Sequence, residues 1–398
     1  MGKTSLYALG LAYLRTDRPF GGLWWVTVVS GRPVAAAGRP FRRSEESDMD
    51  LPVTAVGVDP PTDLIPGRVL VTGGAGFIGS HVVARLMLMG SQVRVLDNFS
   101  TGRIENLTDA AYGGLTEADV VSGDIRTPEV VEIIHQWQPD VVVHLAAQSS
   151  VPAAHRSPLY DADVNVFGTV NVLDACARSG VRLVINATSS AIFGSVAAHD
   201  LPVREDHPIA PVSPYGVSNA AGVHYLDWYG RQHGLSYTSM VFGNVYGPRQ
   251  EGSDCGVVSL MVDALLGGRQ AVIYDDGTQT RDFIHVSDVA EAIAVACHHN
   301  GVGMVNIASG RQTSVNEVYD TVREASGVDS AARYEPLPWP GEVRNMALDT
   351  RKARDLLGWH PKIGFTEGVR TTVRDARRRQ APSQILSPLW ARERAVSH

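Results

Sequence analysis

Thr72-Gly73-Gly74-Ala75-Gly76-Phe77-Ile78-Gly79 follows a short apolar run, Val69–Val71, and opens a stretch with helical spacing. The cluster reads as GxxGxxG through Gly73, Gly76 and Gly79, and as GxGxxG through Gly74, Gly76 and Gly79. Such glycines permit a tight turn, close approach of backbone to a pyrophosphate, and packing of helix on strand. The helix start then presents N–H groups and a partial positive charge to phosphate. A second apolar run ends at Asp97, 18 residues past Gly79. An acid there accepts from both ribose hydroxyls and repels a 2′-phosphate, which favours NAD over NADP. The alternative is a glycine-rich turn with a surface aspartate; the flanking strands weigh against it. Two later segments suit the same ligand. In Gly123-Asp124-Ile125-Arg126, Asp124 can accept from an adenine amino group. In Leu145-Ala146-Ala147-Gln148, small residues admit a cofactor to the backbone. Taken singly, each is more often just a strand end.

Positioning these residues takes an alternating chain. Strands are predicted over 69–72, 92–96, 120–122, 141–145, 182–186 and 236–242, and helices over 77–89, 128–137, 160–177 and 213–233. Strands alternating with such helices imply βαβ units and a parallel sheet covered on both faces. Beyond about Gly247 the rhythm loosens, with helices over 256–266, 286–298, 315–326 and 350–357 and strands over 272–274 and 305–308. The expected fold is α/β: a Rossmann doubly wound parallel sheet with a smaller C-terminal α/β substrate-binding lobe. Its divisions are an NAD-binding domain over 67–245, to which 282–308 returns, a lobe over 246–378, and a loose tail over 379–398. Residues 1–66 read as a largely irregular extension. Within it, Ser5–Leu14 is too weakly flanked for a secretory signal, Gly21–Ser30 has the pattern of a strand, and Met49 suggests a later start.

Composition narrows the class. The 398 residues include 35 Lys and Arg against 42 Asp and Glu, a formal charge of −7 that argues against nucleic acid or an anionic membrane as partner. Hydrophobic residues are 44% and charged residues 19%, enough for a sizeable core. Cys176, Cys255 and Cys297 are far apart, which fits a reducing, cytoplasmic setting and neither a disulfide framework nor a zinc site. The histidines, His298-His299 included, read as structural, and no metal is expected. No apolar run reaches the ~18 residues of a membrane span.

A set of separated motifs then points one way: TGGAGFIGSH (72–81), LDNFSTG (96–102), GDIR (123–126), HLAAQSSV (144–151), NVFGTVNVLDA (165–175), SPYGVSN (213–219), NVYGPRQ (244–250), GTQTRDFIHVSDVA (277–290) and LGWHP (357–361). Over about 67–375 the chain resembles the extended short-chain dehydrogenase/reductase family. It is most similar to the NAD-dependent nucleotide-sugar 4-epimerase branch of the UDP-glucose/UDP-galactose type. The resemblance implies that a tyrosine phenolate removes the sugar O4 proton, hydride leaves C4 for bound NAD, and hydride returns to the opposite face of the 4-keto sugar. Tyr215 matches that tyrosine. Ser189 matches the serine or threonine beside it, with Thr188 as the neighbouring candidate.

The family pairs its tyrosine with a lysine four residues on, sharing one helix face. Here that position is Asn219, the main departure. A free tyrosine has a pKa near 10, so about one in a thousand is phenolate at neutral pH. Asparagine can bond a ribose but brings no charge, and acid/base catalysis is expected to weaken by up to ~10²–10⁴-fold. A pseudoenzyme that binds NAD or a nucleotide-sugar without useful turnover is therefore the alternative. The resemblance also implies cofactor contacts at Gly73, Gly76, Phe77, Ile78, Gly79, Asp97, Asn98, Ser100, Thr101, Gly102, Asp124, Ile125, Leu145, Ala146, Ala147, Gln148, Asn165, Tyr215, Asn219 and Phe242. On the substrate side it implies Ser189, Asn244, Tyr274, Arg281 and Glu342, with Trp339 where a second arginine is usual and Arg344 as its substitute. Dehydratases of the family carry Asp-Glu where this chain has Ser190 and Ala191, so the motif fits oxidation and return at one carbon. A UDP-sugar substrate and a homodimer through the 160–177 and 213–233 helices are also implied; which sugar stays open.

Overall fold

The computed structural model describes residues 67–252, 256–337 and 343–380. The extension, the Gly21–Ser30 strand, Cys255, Trp339, Glu342 and the tail from 381 lie outside the described residues. In chain order the first half comprises β1 (Arg68–Thr72), α1 (Phe77–Leu88), β2 (Gln92–Asp97), α2 (Thr108–Tyr112), β3 (Val120–Ser122), α3 (Pro128–Trp137), β4 (Val141–His144), α4 (Val151–Arg156), α5 (Pro158–Ala162), α6 (Thr169–Ser179), β5 (Leu183–Ser189), α7 (Pro214–His233) and β6 (Ser236–Phe242). There follow β7 (Asn244–Tyr246), α8 (Val257–Leu266), β8 (Val272–Tyr274), β9 (Thr280–Arg281), β10 (Phe283–His285), α9 (Val286–Ala296), β11 (Gly303–Ile307), β12 (Thr313–Ser314), α10 (Val315–Ser326), β13 (Arg333–Glu335), α11 (Arg351–Leu357) and α12 (Phe365–Gln380).

Seven parallel strands form one sheet in the order β11-β6-β5-β4-β1-β2-β3. This is the doubly wound Rossmann order with one strand added. Chain direction reverses across the sheet between β1 and β4, and ligands of such sheets bind past the carboxyl ends there. Strand alternation sends Val69, Val71, Val93 and Val95 to a core under α1 and α9. Leu70, Leu96, Val142 and Val184 go to the opposite core, under α3, α6 and α7. A separate core joins α8, α10 and α12 through Val262, Leu265, Val318, Val322, Val369 and Val373.

Two expectations need correcting. The long helix expected over 160–177 starts at Pro158, and its middle, Asp163–Gly168, is π-helical. The tail does not begin at 379. Helix α12 runs through Gln380, and Arg379 pairs with Asp375 one turn back at 2.8 Å and with Glu251 at 3.0 Å. Among the described residues no helix is long and apolar enough to cross a membrane.

Candidate active site

The glycine turn connects β1 to α1 at the reversal point. Gly73 has φ +69°, and a Cβ there would lie 2.7 Å from the amide nitrogen of Ala146, which follows β4. A Cβ at Gly79 would lie 2.1 Å from the Gly73 carbonyl oxygen. Glycine is therefore required for this turn to fold back on its own helix. Gly76 ends the turn as the residue before α1, with Phe77 and Ile78 in its first turn, where backbone N–H groups have no intrahelical partner.

Asp97 ends β2 with its carboxylate buried. One oxygen accepts from the Ala75 amide at 2.9 Å, the other from the Phe99 amide at 2.8 Å. Burial raises its pKa, and these amides, with that of Gly76, pull the other way. Gly102 abuts the carboxylate: a Cβ would come within 2.8 and 2.9 Å of its oxygens. Asn98, Ser100 and Thr101 are exposed around it. Asp124 lies beyond β3 and is held far below the usual carboxylate range, chiefly by Arg126. Its four acceptor positions serve the Arg126 amide, the Arg126 guanidinium twice and Asn98. An adenine amino group would have to displace one of these. Ile125 is buried beside it.

Past β4, Leu145 and Ala146 are half-buried and Ala147 exposed. Asn165, on the π-helical stretch, locks this loop: its oxygen accepts from the Gln148 amide at 2.8 Å and its nitrogen donates to the Gln148 carbonyl at 2.9 Å. The Asn165 nitrogen also reaches the Ser218 hydroxyl at 3.2 Å, which donates to the Tyr215 carbonyl at 3.0 Å. The cofactor-side loop and the tyrosine helix thus share one network.

Helix α7 starts where Ser213 caps it, accepting from the Gly216 amide at 3.1 Å, with Pro214 in the first turn. A Cβ at Gly216 would sit 2.6 Å from the Ala191 carbonyl oxygen, so glycine lets this helix start press against the 190–193 turn. That contact brings Tyr215 to the end of β5, where the side chains of Ser189 and Asn219 stand beside its hydroxyl. Burial raises the tyrosine pKa most; Ser189 opposes this, the buried charge of Asp161 adds to it, and Asn219 opposes it less. The Ser189 oxygen also accepts from the Ala191 amide at 3.2 Å. Asn219 faces inward: its nitrogen donates to the Tyr215 carbonyl at 2.9 Å and its oxygen accepts from Thr188 at 3.3 Å.

The remaining expected residues extend from the same edge. Ser189 registers against the buried Phe242 on β6, and Asn244 follows on β7, paired with Phe283 of β10. The Asn244 amide donates to the Asp282 carbonyl at 2.6 Å, and Arg281 stands next to Asp282 on β9. Asp282 is fully buried and accepts from the Ser309 amide and hydroxyl and from the Gly310 and Leu348 amides. Arg281 is therefore set on a braced strand end, paired across from Thr313 of β12. Tyr274 is half-buried on β8. Arg344 is exposed and bonded to Asp276 at 3.1 Å and to Thr278, so it is not a free clamp.

Residues 70–372 match the family described as GDP-mannose 4,6-dehydratase. The chain belongs to this family. A UDP-glucose 4-epimerase of Mycolicibacterium smegmatis is 39% identical over 309 residues, covering 77% of this chain and 97% of that protein. The solved UDP-glucose 4-epimerase of Thermus thermophilus, in complex with NAD, is 39% identical with a TM-score of 0.72, over 78% of this chain and 99% of that one. That of Thermotoga maritima, with UDP-glucose, is 36% identical with a TM-score of 0.74, over 79% and 99%.

As a member of the dehydratase family the chain holds two buried groups that motif reading passed over. Asp161 is 1% exposed and accepts from Gln148 at 2.8 Å and from Asn165 at 3.2 Å. Its position one turn before Asn165 was the available signal. His144, at the end of β4, bridges the hydroxyls of Thr72 at 2.7 Å and Thr169 at 3.1 Å, and burial lowers its pKa to about 4.

Proposed function

We propose that this chain is an NAD-dependent epimerase that inverts C4 of a UDP-sugar through a 4-keto sugar. One observation carries the reading: Tyr215, at the start of α7, stands beside Ser189 at the carboxyl edge of the sheet that also bears the glycine turn and Asp97. The turn fits a dinucleotide, because Gly73 and Gly79 let it close against its own helix and the end of β4, which sets the first backbone N–H groups of α1 at the carboxyl edge of the sheet. Gly73, Gly76, Phe77, Ile78 and Gly79 would hold the pyrophosphate, Asp97 the adenosine ribose, and Asn165, Tyr215 and Asn219 the nicotinamide end. When bound, NAD supplies a hydride acceptor for C4 and returns the hydride.

Tyr215 takes the O4 proton and gives it back. Ser189, beside the phenol, holds O4 in line. Asn244 and Arg281 grip the diphosphate; Tyr274 and Arg344 border the nucleotide, with Glu342 its further contact. Ser190 and Ala191 bring no acid or base to C5 or C6, which favours inversion over dehydration. The NAD-binding domain over 67–245 with 282–308, and the lobe over 246–378, form the two sides of the cleft. A homodimer is supported by exposed apolar side chains on the two expected helices, among them Phe167 (55%), Val217 (56%) and Trp228 (49%). NAD chemistry and the buried thiols of Cys176 and Cys297 fit the cytoplasm.

The pseudoenzyme reading draws on Asn219, whose amide is committed to backbone and Thr188. The test is mass spectrometry of retained cofactor, then incubation with UDP-glucose, UDP-galactose, their N-acetylated forms and UDP-glucuronic acid. Turnover of one pair, rising with pH above neutrality as the phenolate forms and abolished in Tyr215→Phe with NAD retained, supports the epimerase. Retained NAD with no turnover in the native chain, but turnover in Asn219→Lys, supports the pseudoenzyme.

A further inference from the structure

We propose that Glu251, placed by Arg249, is a positioning residue that straps the 98–103 loop to the helix behind the glycine turn and so slows release of the dinucleotide. This rests on the NAD site of the proposed function and not on the C4 chemistry. The loop follows Asp97, and its Gly102 abuts that carboxylate. Side chains tie it to the rest of the fold at its two ends. Asn98 donates to Asp124 at 2.9 Å, and Arg103 pairs with Glu251 at 2.7 Å. The Arg103 amide also donates to the Ala75 carbonyl of the glycine turn at 3.0 Å. The loop and the turn are the two parts given to the adenosine ribose and the pyrophosphate, so whatever fixes one against the other holds the site together.

Glu251 comes from far along the chain, on a turn that follows β7 and lies against α1. The Pro248 carbonyl accepts from the His81 ring at 3.0 Å, and the Arg249 guanidinium donates to the Ser80 hydroxyl at 3.1 Å. Ser80 and His81 follow directly on Phe77, Ile78 and Gly79. Arg249 also pairs with Asp109 of α2, and its amide donates to Asp375 of α12 at 3.2 Å. Its φ is +69°, in the left-handed region, which a residue with a side chain keeps only where its surroundings over-determine it. The contacts to Ser80, Asp109 and Asp375 do so.

The turn fixed in this way delivers the Glu251 carboxylate between two guanidinium groups. One oxygen meets Arg103, and the other meets Arg379 of α12 at 3.0 Å. Arg103 is 62% exposed and has no other acid among the described residues. The path from α1 through Arg249 and Glu251 to Arg103 therefore closes a ring around the glycine turn that its backbone alone leaves open. Exposed ion pairs are individually weak and are screened by salt. Glu251 joins two of them, so its removal changes a release rate by a resolvable factor.

The test is release of NADH from loaded protein, read as the loss of its fluorescence after mixing with excess NAD. Glu251→Gln should speed release by about threefold to tenfold. Arg103→Gln should have a smaller effect, and the double variant should match Glu251→Gln alone. Raising salt from about 0.05 to about 0.5 M should speed release from the wild type and leave Glu251→Gln nearly unmoved. Exchanging the charges, Arg103→Glu with Glu251→Arg, should restore part of the slow release. Release from Glu251→Gln within about 1.5-fold of wild type overturns the strap, as does a double variant whose effects add or a salt response that Glu251→Gln keeps in full. A wild type that holds no NADH refutes the NAD site and the strap with it. The expected release pattern in protein that inverts no UDP-sugar supports the strap and refutes the epimerase reading alone.

Discussion

Replacing Asp97 with alanine tests the cofactor assignment, because the same carboxylate serves the fold and the proposed ribose contact. Within the chain it accepts two backbone N–H bonds, at 2.9 and 2.8 Å, while 6% exposed. Leaving such donors without an acceptor costs about 1–3 kcal/mol each, so unfolding free energy should fall by about 2–6 kcal/mol. For bound NAD, two ribose hydroxyls would lose bonds to a charged acceptor, about 1.5–3 kcal/mol each. At about 1.4 kcal/mol per decade, affinity should fall by roughly 10²–10⁴-fold. NADP should respond differently. A carboxylate and a phosphate charge about 4 Å apart repel by about 4 kcal/mol at an effective dielectric constant of about 20. Removing Asp97 deletes that repulsion, so the preference for NAD over NADP should collapse toward parity.

The assay is titration calorimetry of cofactor-stripped protein with NAD and with NADP, beside urea unfolding of the same samples. Asp97→Asn, which keeps the shape and one acceptor, should fall between wild type and alanine in both. If the alanine variant binds NAD within about threefold of wild type, or wild type does not discriminate against NADP, the acid does not touch the ribose.

Asp282→Ala should leave four donors around Arg281 without their acceptor and cost about 3–5 kcal/mol by urea unfolding, with Asp282→Asn milder. His81 and His144 are held near pKa 4 by burial, against 6.5 when free. Their folded values are depressed, so the fold prefers the neutral rings. That stability is full above pH 6.5 and is lost as pH falls from there toward 4, by about 3 kcal/mol for each ring. His144→Gln should flatten part of this acid limb in denaturation curves taken between those pH values. Phe167→Glu with Val217→Glu should give a monomer by sedimentation if these exposed side chains meet a second copy; an unchanged mass would place the dimer contact elsewhere.

Local features carried most of what could be read from sequence. Strands β1 to β6 each have at least two apolar residues in a row, and the glycine turn and Asp97 are short-range patterns tied to strand ends. The short strands escaped because two or three residues have no period of their own: β7 and β10 exist by pairing with each other, and β9 by pairing with β12. Helix α12 escaped because Gly368 and its many arginines mask a spaced apolar stripe, Val369, Val373 and Ala376. Asp161 escaped because burial of a charge is set by three helices packing around it, which no local pattern encodes.

The geometry of the tyrosine does not depend on the residue at 219. Ser213 caps its helix, Gly216 admits the 190–193 turn, and Ser189 stands at the end of β5 beside the ring. Asn219 bonds its own helix and Thr188, holding no element that the others leave loose. The change at this position therefore acts on charge, with placement kept. Burial and Asp161 both oppose the phenolate, and the neutral side chains of Ser189 and Asn219 only partly offset them. On the proposed epimerase reading, a site built this way would keep its substrate geometry while its acid/base step draws positive charge from the bound cofactor in place of a side chain.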